Sequence, residues 1–405
     1  MVSSRAYACL LIGVSSCFGA EVGNEPPLPI EREHVVVVKQ VAELQRAVES
    51  AANNTTILIA DGTYRLNRLL YLRAKQQITI CSESRDPTKV TLQGLGWDSE
   101  SDQDDILRIG DCRDILVAHM TLADCHAYGI KVQAEDRPRN IHIYNCRFRD
   151  IGTRAIKGSG GQGSAQTGSI RWCQFENTKV PPAHWLFEGN YITAIDMMAL
   201  DGWTISDNRF RNIKGRTGGG RAAIFVWVRS QNVTVERNWI VDCDRGIALG
   251  NPSASSSEVA DDEFHVRGSV CRNNFIVPGP DAGIELWWVQ DVQVLHNTIW
   301  RREESGRGIR FGARTKDVLI ANNLVRGAIL DEGSGPAQRV RLANNLVGAL
   351  DGYFVNPAAG DLHLTAAASG ARDAALPLPD VRGDFDGQSR EGRPDIGADE
   401  LVVHP

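Results

Sequence analysis

The sequence predicts an all-β solenoid, a single stack of coils built from short strands. The first observation is a phrase repeated from about residue 105 to residue 350: alternating apolar residues, a polar or cysteine residue, one more apolar residue, and later Gly/Ala-Ile. Asn208, Asn238, Asn274, Asn297, Asn323 and Asn345 share one register in that phrase, and Met120, Cys146 and Cys173 hold the same slot upstream. Successive slots lie roughly 22 to 36 residues apart, the span of one solenoid coil. The second observation is the period of two inside each phrase, which turns one side chain to the core and the next outward. The third is the scarcity of helical periodicity beside abundant Gly and Asn. A chain of 405 residues could hold two or three domains, but coils that bury their apolar residues against one another make one elongated unit.

Residues 1–20 predict an export signal: Arg5, the short apolar run Ala6 to Val14, then small residues at Ser15, Ser16, Gly19 and Ala20. Val14-Ser15-Ser16-Cys17 also resembles a bacterial lipobox, which would put a lipid anchor on Cys17. Either reading places the protein outside the cytoplasm: periplasmic, on the cell surface or secreted. Residues 21–40 form a lead-in with a short strand at Val35 to Val38. Val41, Leu44, Val48 and Ala51 fall at helical spacing, so residues 41–52 predict one amphipathic helix. Such a helix would cap the open edge of the first coil. The solenoid, with that cap, spans residues 41–350 in roughly ten coils. The stacked asparagines are structural, their amides bonding the backbone of neighbouring coils. After Asn356-Pro357 the pattern stops, and residues 351–405 read as a tail capping the far end. Asp384 and Asp386, beside Gly387, are a candidate calcium pair. An Asp-Gly turn with surface carboxylates is the favoured alternative, and beyond this calcium candidate the sequence points to no cofactor.

Composition narrows the partners. A formal net charge of −6 gives no basic face for nucleic acid. No apolar run reaches about 18 residues, so no spanning helix is expected. Setting aside Cys9 and Cys17 leaves seven cysteines with no zinc spacing. Most read as buried structural thiols, with a Cys125–Cys146 disulfide as the alternative. A monomer is expected.

The coils resemble the right-handed parallel β-helix repeat of the pectate-lyase-like superfamily. Ile59-Ala60-Asp61-Gly62-Thr63-Tyr64 is similar to its opening strand and turn, and Asp384 to Glu400 to a C-terminal motif of exported bacterial members. Arg154-Ala155-Ile156-Lys157 through Asp244-Arg245-Gly246-Ile247-Ala248-Leu249-Gly250 resembles a bacterial subgroup of undefined activity. The resemblance implies the fold. Polygalacturonase-type paired aspartates, Gly-His-Gly and Arg-Ile-Lys are absent, and Lys157 and Ser159 alone match the lysine strand of the alginate-lyase and chondroitinase-B type.

Register then selects outward residues on the first strand of each coil: Arg108, Lys131, Lys157, Asp196, Phe225, Ala248, Glu285 and Arg310. Two residues on, the next outward slot includes Trp227 and Trp287. Coils stack about 4.8 Å apart, near the length of one sugar ring. Like charges on adjacent coils repel, so the run Arg108, Lys131, Lys157 asks for an anionic partner such as a uronate or sulfated polysaccharide. Phe225, Trp227 and Trp287 offer stacking platforms, and Glu285 and Arg310 extend the binding row. Two loops should overhang this face, Thr178 to Tyr191 with His184 and Arg211 to Arg221 with Arg216 and Arg221. Lys157, Asp196, His184, Arg216 and Arg221 are therefore the candidate catalytic residues, with Lys157 or His184 as base. Hydrolysis would need two carboxyl groups across one bond. Glu285 is three coils from Asp196, about 14 Å, so a lyase or C5-epimerase on an acidic polysaccharide is preferred. A non-catalytic glycan-binding or adhesive surface protein is the competing expectation.

Overall fold

The computed structural model describes residues 32–99, 101, 104–160, 163–252, 264–333, 338–348 and 350–401. The expected export signal at 1–20, with Cys9 and Cys17, lies outside the described residues. Three long parallel sheets of ten, eleven and fifteen strands run along the stack, most coils contributing a strand to each and some two to the largest. The architecture is a single-stranded parallel β-helix.

The inward residues show why these segments stack. Leu107, Ile130, Ile156, Ile195, Ile224, Ile247, Ile284 and Ile309 are successive partners across the ten-stranded sheet. All are buried. Each coil therefore covers the apolar residues of the one before it. Phe148, Phe175 and Phe210 do the same behind the eleven-stranded sheet, with ring centroids 4.8 and 4.7 Å apart.

The corner between the fifteen- and eleven-stranded sheets carries the asparagine ladder. Asp207, Arg237, Asn273, His296, Asn322 and Asn344 each adopt a left-handed backbone there, bending the chain sharply. The next residue is the ladder asparagine. Asn208, Asn238, Asn274, Asn297 and Asn323 each donate Nδ2 to the Oδ1 of the next in the stack at 2.8–3.0 Å. That same oxygen accepts the preceding asparagine's backbone N–H. A left-handed arginine or histidine is costly, and the buried amide stack holds it. Cys173 N donates to Asn208 Oδ1 at 2.9 Å, so the cysteine slot continues the column. All seven described cysteines are buried thiols, and the Cys125–Cys146 disulfide is not formed.

The helix Val41–Ser50 buries Leu44 and Val48 against strands His34–Val38, Thr55–Ile59 and Leu70–Arg73. It ends two residues before the expected boundary because Ala51 is already extended (ψ 132°) towards the next strand. The closing tail lies along the side of the solenoid. Phe385 stacks on Phe275 at 4.0 Å, Trp239 Nε1 donates to Gly360 O at 2.9 Å, and Arg390 reaches Asn273 Oδ1 at 3.2 Å. Gly360, at φ +89°, permits this approach: a Cβ would lie 2.4 Å from Val241 Cγ2. Leu342 and Val347, at the far end of the stack, stay exposed.

Candidate functional site

The outward ladder has the expected register. Arg108, Lys131, Lys157, Asp196, Phe225, Ala248, Glu285 and Arg310 are consecutive partners. Its exposure differs from expectation. Asp196 is 1% exposed, Phe225 3% and Glu285 0%. Phe225 is no open platform, being sandwiched between Trp227 (centroids 4.9 Å apart) and Arg221, whose Cζ lies 4.4 Å from the ring centre. Long neighbouring side chains fold over the ridge and bury it.

Asp196 is the centre of the site. Its Oδ2 accepts from Arg154 Nε at 2.5 Å and its Oδ1 from Lys157 Nζ at 3.0 Å and Trp227 Nε1 at 2.9 Å. Arg154 is 2% exposed, and the Tyr191 ring covers its guanidinium at 3.5 Å. Burial works to raise the Asp196 carboxyl, but Lys157 and Arg154 outweigh it and hold the group down at about 2. Burial pulls the Lys157 ammonium below its ordinary range, and Asp196 restores only part of the shift. Glu135, held by Ser159 Oγ at 2.6 Å, acts on Lys157 more weakly.

A pocket of about 300 Å³ opens beside this array, lined by His126, Tyr128, Thr153, His184, Trp185 and Tyr191 among others. Trp185 pins the overhanging loop by packing against Trp97 at 5.2 Å and His126 at 4.3 Å. Exposed His184 stands at the rim. Burial and neighbouring Tyr191 push the Tyr128 hydroxyl up to about 12, so it holds its proton. Arg216 does not converge on Lys157. It bridges the two loops, with Nε donating to Glu188 O at 3.0 Å.

The remaining site candidates fall into other groups. Arg221 (3.5 Å), Arg245 (2.8 Å) and Arg310 (2.7 Å) surround the Glu285 carboxylate, with Asp281 at the rim of the cluster. Glu285 and Arg310 are thus committed to each other. Arg108 is paired with Asp105, Nε to Oδ2 at 2.7 Å, so two of the three cations of the ridge already face a carboxylate. Lys131 Nζ lies 5.4 Å from the Tyr128 ring centre. Trp287 is half-buried, its ring against Gly312 and its Nε1 without a partner.

Sequence reasoning missed Arg154, Tyr128, Tyr191 and His126. Strict alternation from Ile156 points Arg154 into the core, but the strand pairing skips Ala155 and the guanidinium joins Asp196 outside. A charged residue in a nominally interior slot was the available signal. Asp384 and Asp386 form a turn, as the favoured reading had it, with Asp384 buried rather than at the surface. Asp384 spends both oxygens on the backbone N–H groups of Asp386, Gln388 and Glu400, and Asp386 accepts from His363 Nε2 at 2.9 Å. Among the described residues, His363, Asp386 and Asp399 are the group with metal-like spacing. Both His363 nitrogens face carboxylate oxygens there, Asp361 Oδ1 at 2.6 Å and Asp386 Oδ2 at 2.9 Å.

Comparison with known proteins addresses the fold. Residues 105–269 match the family model for a right handed beta helix region. No curated protein matches the sequence. Pectate lyase Pel9A superposes with a TM-score of 0.58 at 11% identity, covering 92% of this chain and 98% of its own. A rhamnogalacturonan lyase gives 0.52 at 10% identity, covering 82% and 92%. The tailspike protein of E. coli bacteriophage HK620, in complex with a pentasaccharide, gives 0.53 at 12% identity, covering 78% of this chain and 57% of its own. By fold, the chain is a right-handed parallel β-helix.

Proposed function

We propose that this is an exported protein acting on an acidic, uronate-containing polysaccharide, as a lyase or C5-epimerase, with the reacting sugar beside Lys157 and Asp196 under the Thr178–Tyr191 loop. The observation that carries the reading is the buried array itself: two cations, Arg154 and Lys157, share one carboxylate, Asp196. A buried excess of positive charge is costly unless something completes it. A substrate carboxylate supplies the missing charge, and its neutralisation acidifies the adjacent C5–H. His184, at the open rim, is placed as base, and Lys157, with its lowered affinity for a proton, is the second candidate. In elimination the C5 proton goes to the base, the electron pair forms the C4–C5 double bond, and the C4–O bond breaks with a proton supplied to the leaving oxygen. Tyr128 is the available acid. In epimerisation a proton returns to the opposite face of C5. The superposed lyases share the fold and support the choice of polymer class.

Incubating the protein with alginate, pectate and glycosaminoglycans in D2O tests both reactions. Elimination gives an ultraviolet-absorbing unsaturated end, and epimerisation gives deuterium at C5. Lys157→Met should abolish either signal while the fold persists, since Arg154 and Asp196 remain a balanced pair. Binding of a uronate polymer without elimination or exchange would instead establish the non-catalytic reading.

A further inference from the structure

On another face of the solenoid, the eleven-stranded sheet and the closing tail enclose a cavity of about 430 Å³. That volume is ordinary for a small-ligand site. Its floor is one outward ladder: Thr121, Arg147, Gln174, Arg209 and Trp239 are consecutive partners, one per coil. A parallel row carries Arg149, Glu176 and Arg211. The tail forms the end wall with Gly360, Asp361, His363 and Phe385. Arg209 and Arg211 lie 6.0 and 5.8 Å from the Trp239 ring centre.

The charges here are unlike those around Asp196. Arg147, Arg149 and Arg211 form no ion pair among the described residues, although all are partly or fully open to solvent. Glu176 is the sole acid in the two rows, set between Arg149 and Arg211. At the end wall His363 sits between Asp361 (2.6 Å) and Asp386 (2.9 Å). The floor is therefore strongly cationic, on a chain whose net charge is −6.

From this geometry we infer a second ligand site, for the end of an anionic oligosaccharide about three sugars long. The coil spacing of about 4.8 Å puts Arg147 and Arg209 about two sugar lengths apart, with Gln174 between them to bond a hydroxyl. Carboxylates or sulfates on alternate sugars would meet the arginines, and the edge of Trp239 would take the terminal ring. Where Phe385 closes on Phe275 the groove stops, so the site receives a chain end, with the rest of the chain leaving past Thr121 and Thr88. The inference stands on this groove alone and does not depend on chemistry at Lys157.

The test is calorimetric titration of the full chain, in a Lys157→Met background that weakens the first site. The probes are trigalacturonate and a sulfated uronate tetrasaccharide, with maltotriose as the neutral control. Saturable binding of either anionic probe, at least about tenfold tighter than maltotriose, is expected. The double variant Arg147→Gln/Arg211→Gln should weaken it at least about tenfold with unchanged circular dichroism and thermal midpoint. The two probes distinguish carboxylate from sulfate recognition. Binding indifferent to Arg147 and Arg211, binding matched by maltotriose, or binding displaced equally well by plain sulfate would overturn the proposal. Failure of C5 exchange with intact groove binding would remove the first site's chemistry and leave this inference standing.

Discussion

The ten-stranded and eleven-stranded sheets present the same kind of outward ladder, with opposite treatment of charge. On the ten-stranded face, Arg154, Lys157, Asp196, Arg245, Glu285 and Arg310 are all at most 8% exposed and all ion-paired. On the eleven-stranded face, Arg147, Arg149 and Arg211 are more open and carry no ion pair among the described residues. The backbone rule is identical, so coil register alone does not decide the state of a charged residue. What decides is the cover. The Thr178–Tyr191 and Arg211–Arg221 loops and a layer of aromatic rings remove water from one face. The tail closes only one end of the other. Each desolvated charge must face a counter-charge, even one it shares, whereas solvated arginines tolerate an unmatched row at little cost.

The sharpest way to break this comparison is to unbalance the buried face. Asp196→Asn leaves Arg154 and Lys157 buried together without a counter-charge and should cost about 3–5 kcal/mol. Lys157→Met leaves Arg154 against Asp196 and should cost only about 1 kcal/mol. Urea unfolding of the two variants measures the gap. Equal losses would mean that the array is not electrostatically coupled as its geometry indicates.

Next in size is the corner that feeds both faces. Asn238→Leu removes the acceptor for Asn208 N and the donor to Ile205 O, both buried. The expected loss is about 1–3 kcal/mol, read by thermal unfolding. No loss would show that the amide column is incidental to the stack.

The tail offers a smaller, pH-dependent test. His363 is raised to about 9: burial opposes the shift, but Asp386 and Asp361 outweigh it. A group whose folded pKa exceeds its unfolded value near 6.5 stabilises fully below that value, and its contribution disappears as pH rises through about 9. With the side chain 35% exposed, solvent screening reduces the effect to on the order of 1 kcal/mol. His363→Gln should flatten stability between these pH limits. A wild-type profile already flat there would dissolve the link between the tail and its ion pairs.

Much of this was legible in the sequence, and the division has a physical cause. A period of two and an asparagine every coil are backbone-level signals, so the ladder from Arg108 to Arg310 could be read one residue at a time. Burial of Glu285 and Phe225 could not, because it depends on where Arg221, Arg245 and Trp227 fold back. Arg154 was hidden because alternation fails at the corner before Ile156. The arginine groove was overlooked although Arg147, Arg149, Arg209 and Arg211 are plain in the sequence. Its outer wall is built by residues 356–385, more than a hundred positions away, and sequence spacing carries no trace of that contact.

The smallest expected effect sharpens the comparison most. Arg211→Gln removes a charge with no ion pair among the described residues, so stability should change by no more than about 0.5 kcal/mol. The same substitution on the buried face, at Arg154, would strip Asp196 of one of its two cations and expose the Tyr191 ring to an unfilled space. Anion binding should respond in the opposite order: Arg211→Gln lowers affinity for trigalacturonate and makes it less sensitive to salt, because one screened attraction has been removed. Chemical unfolding and titration at two salt concentrations, on the same protein preparation, read both quantities. If Arg211→Gln destabilised the chain while leaving salt dependence untouched, the arginine would be a structural element like Arg154. The two faces would then differ in cover but not in purpose.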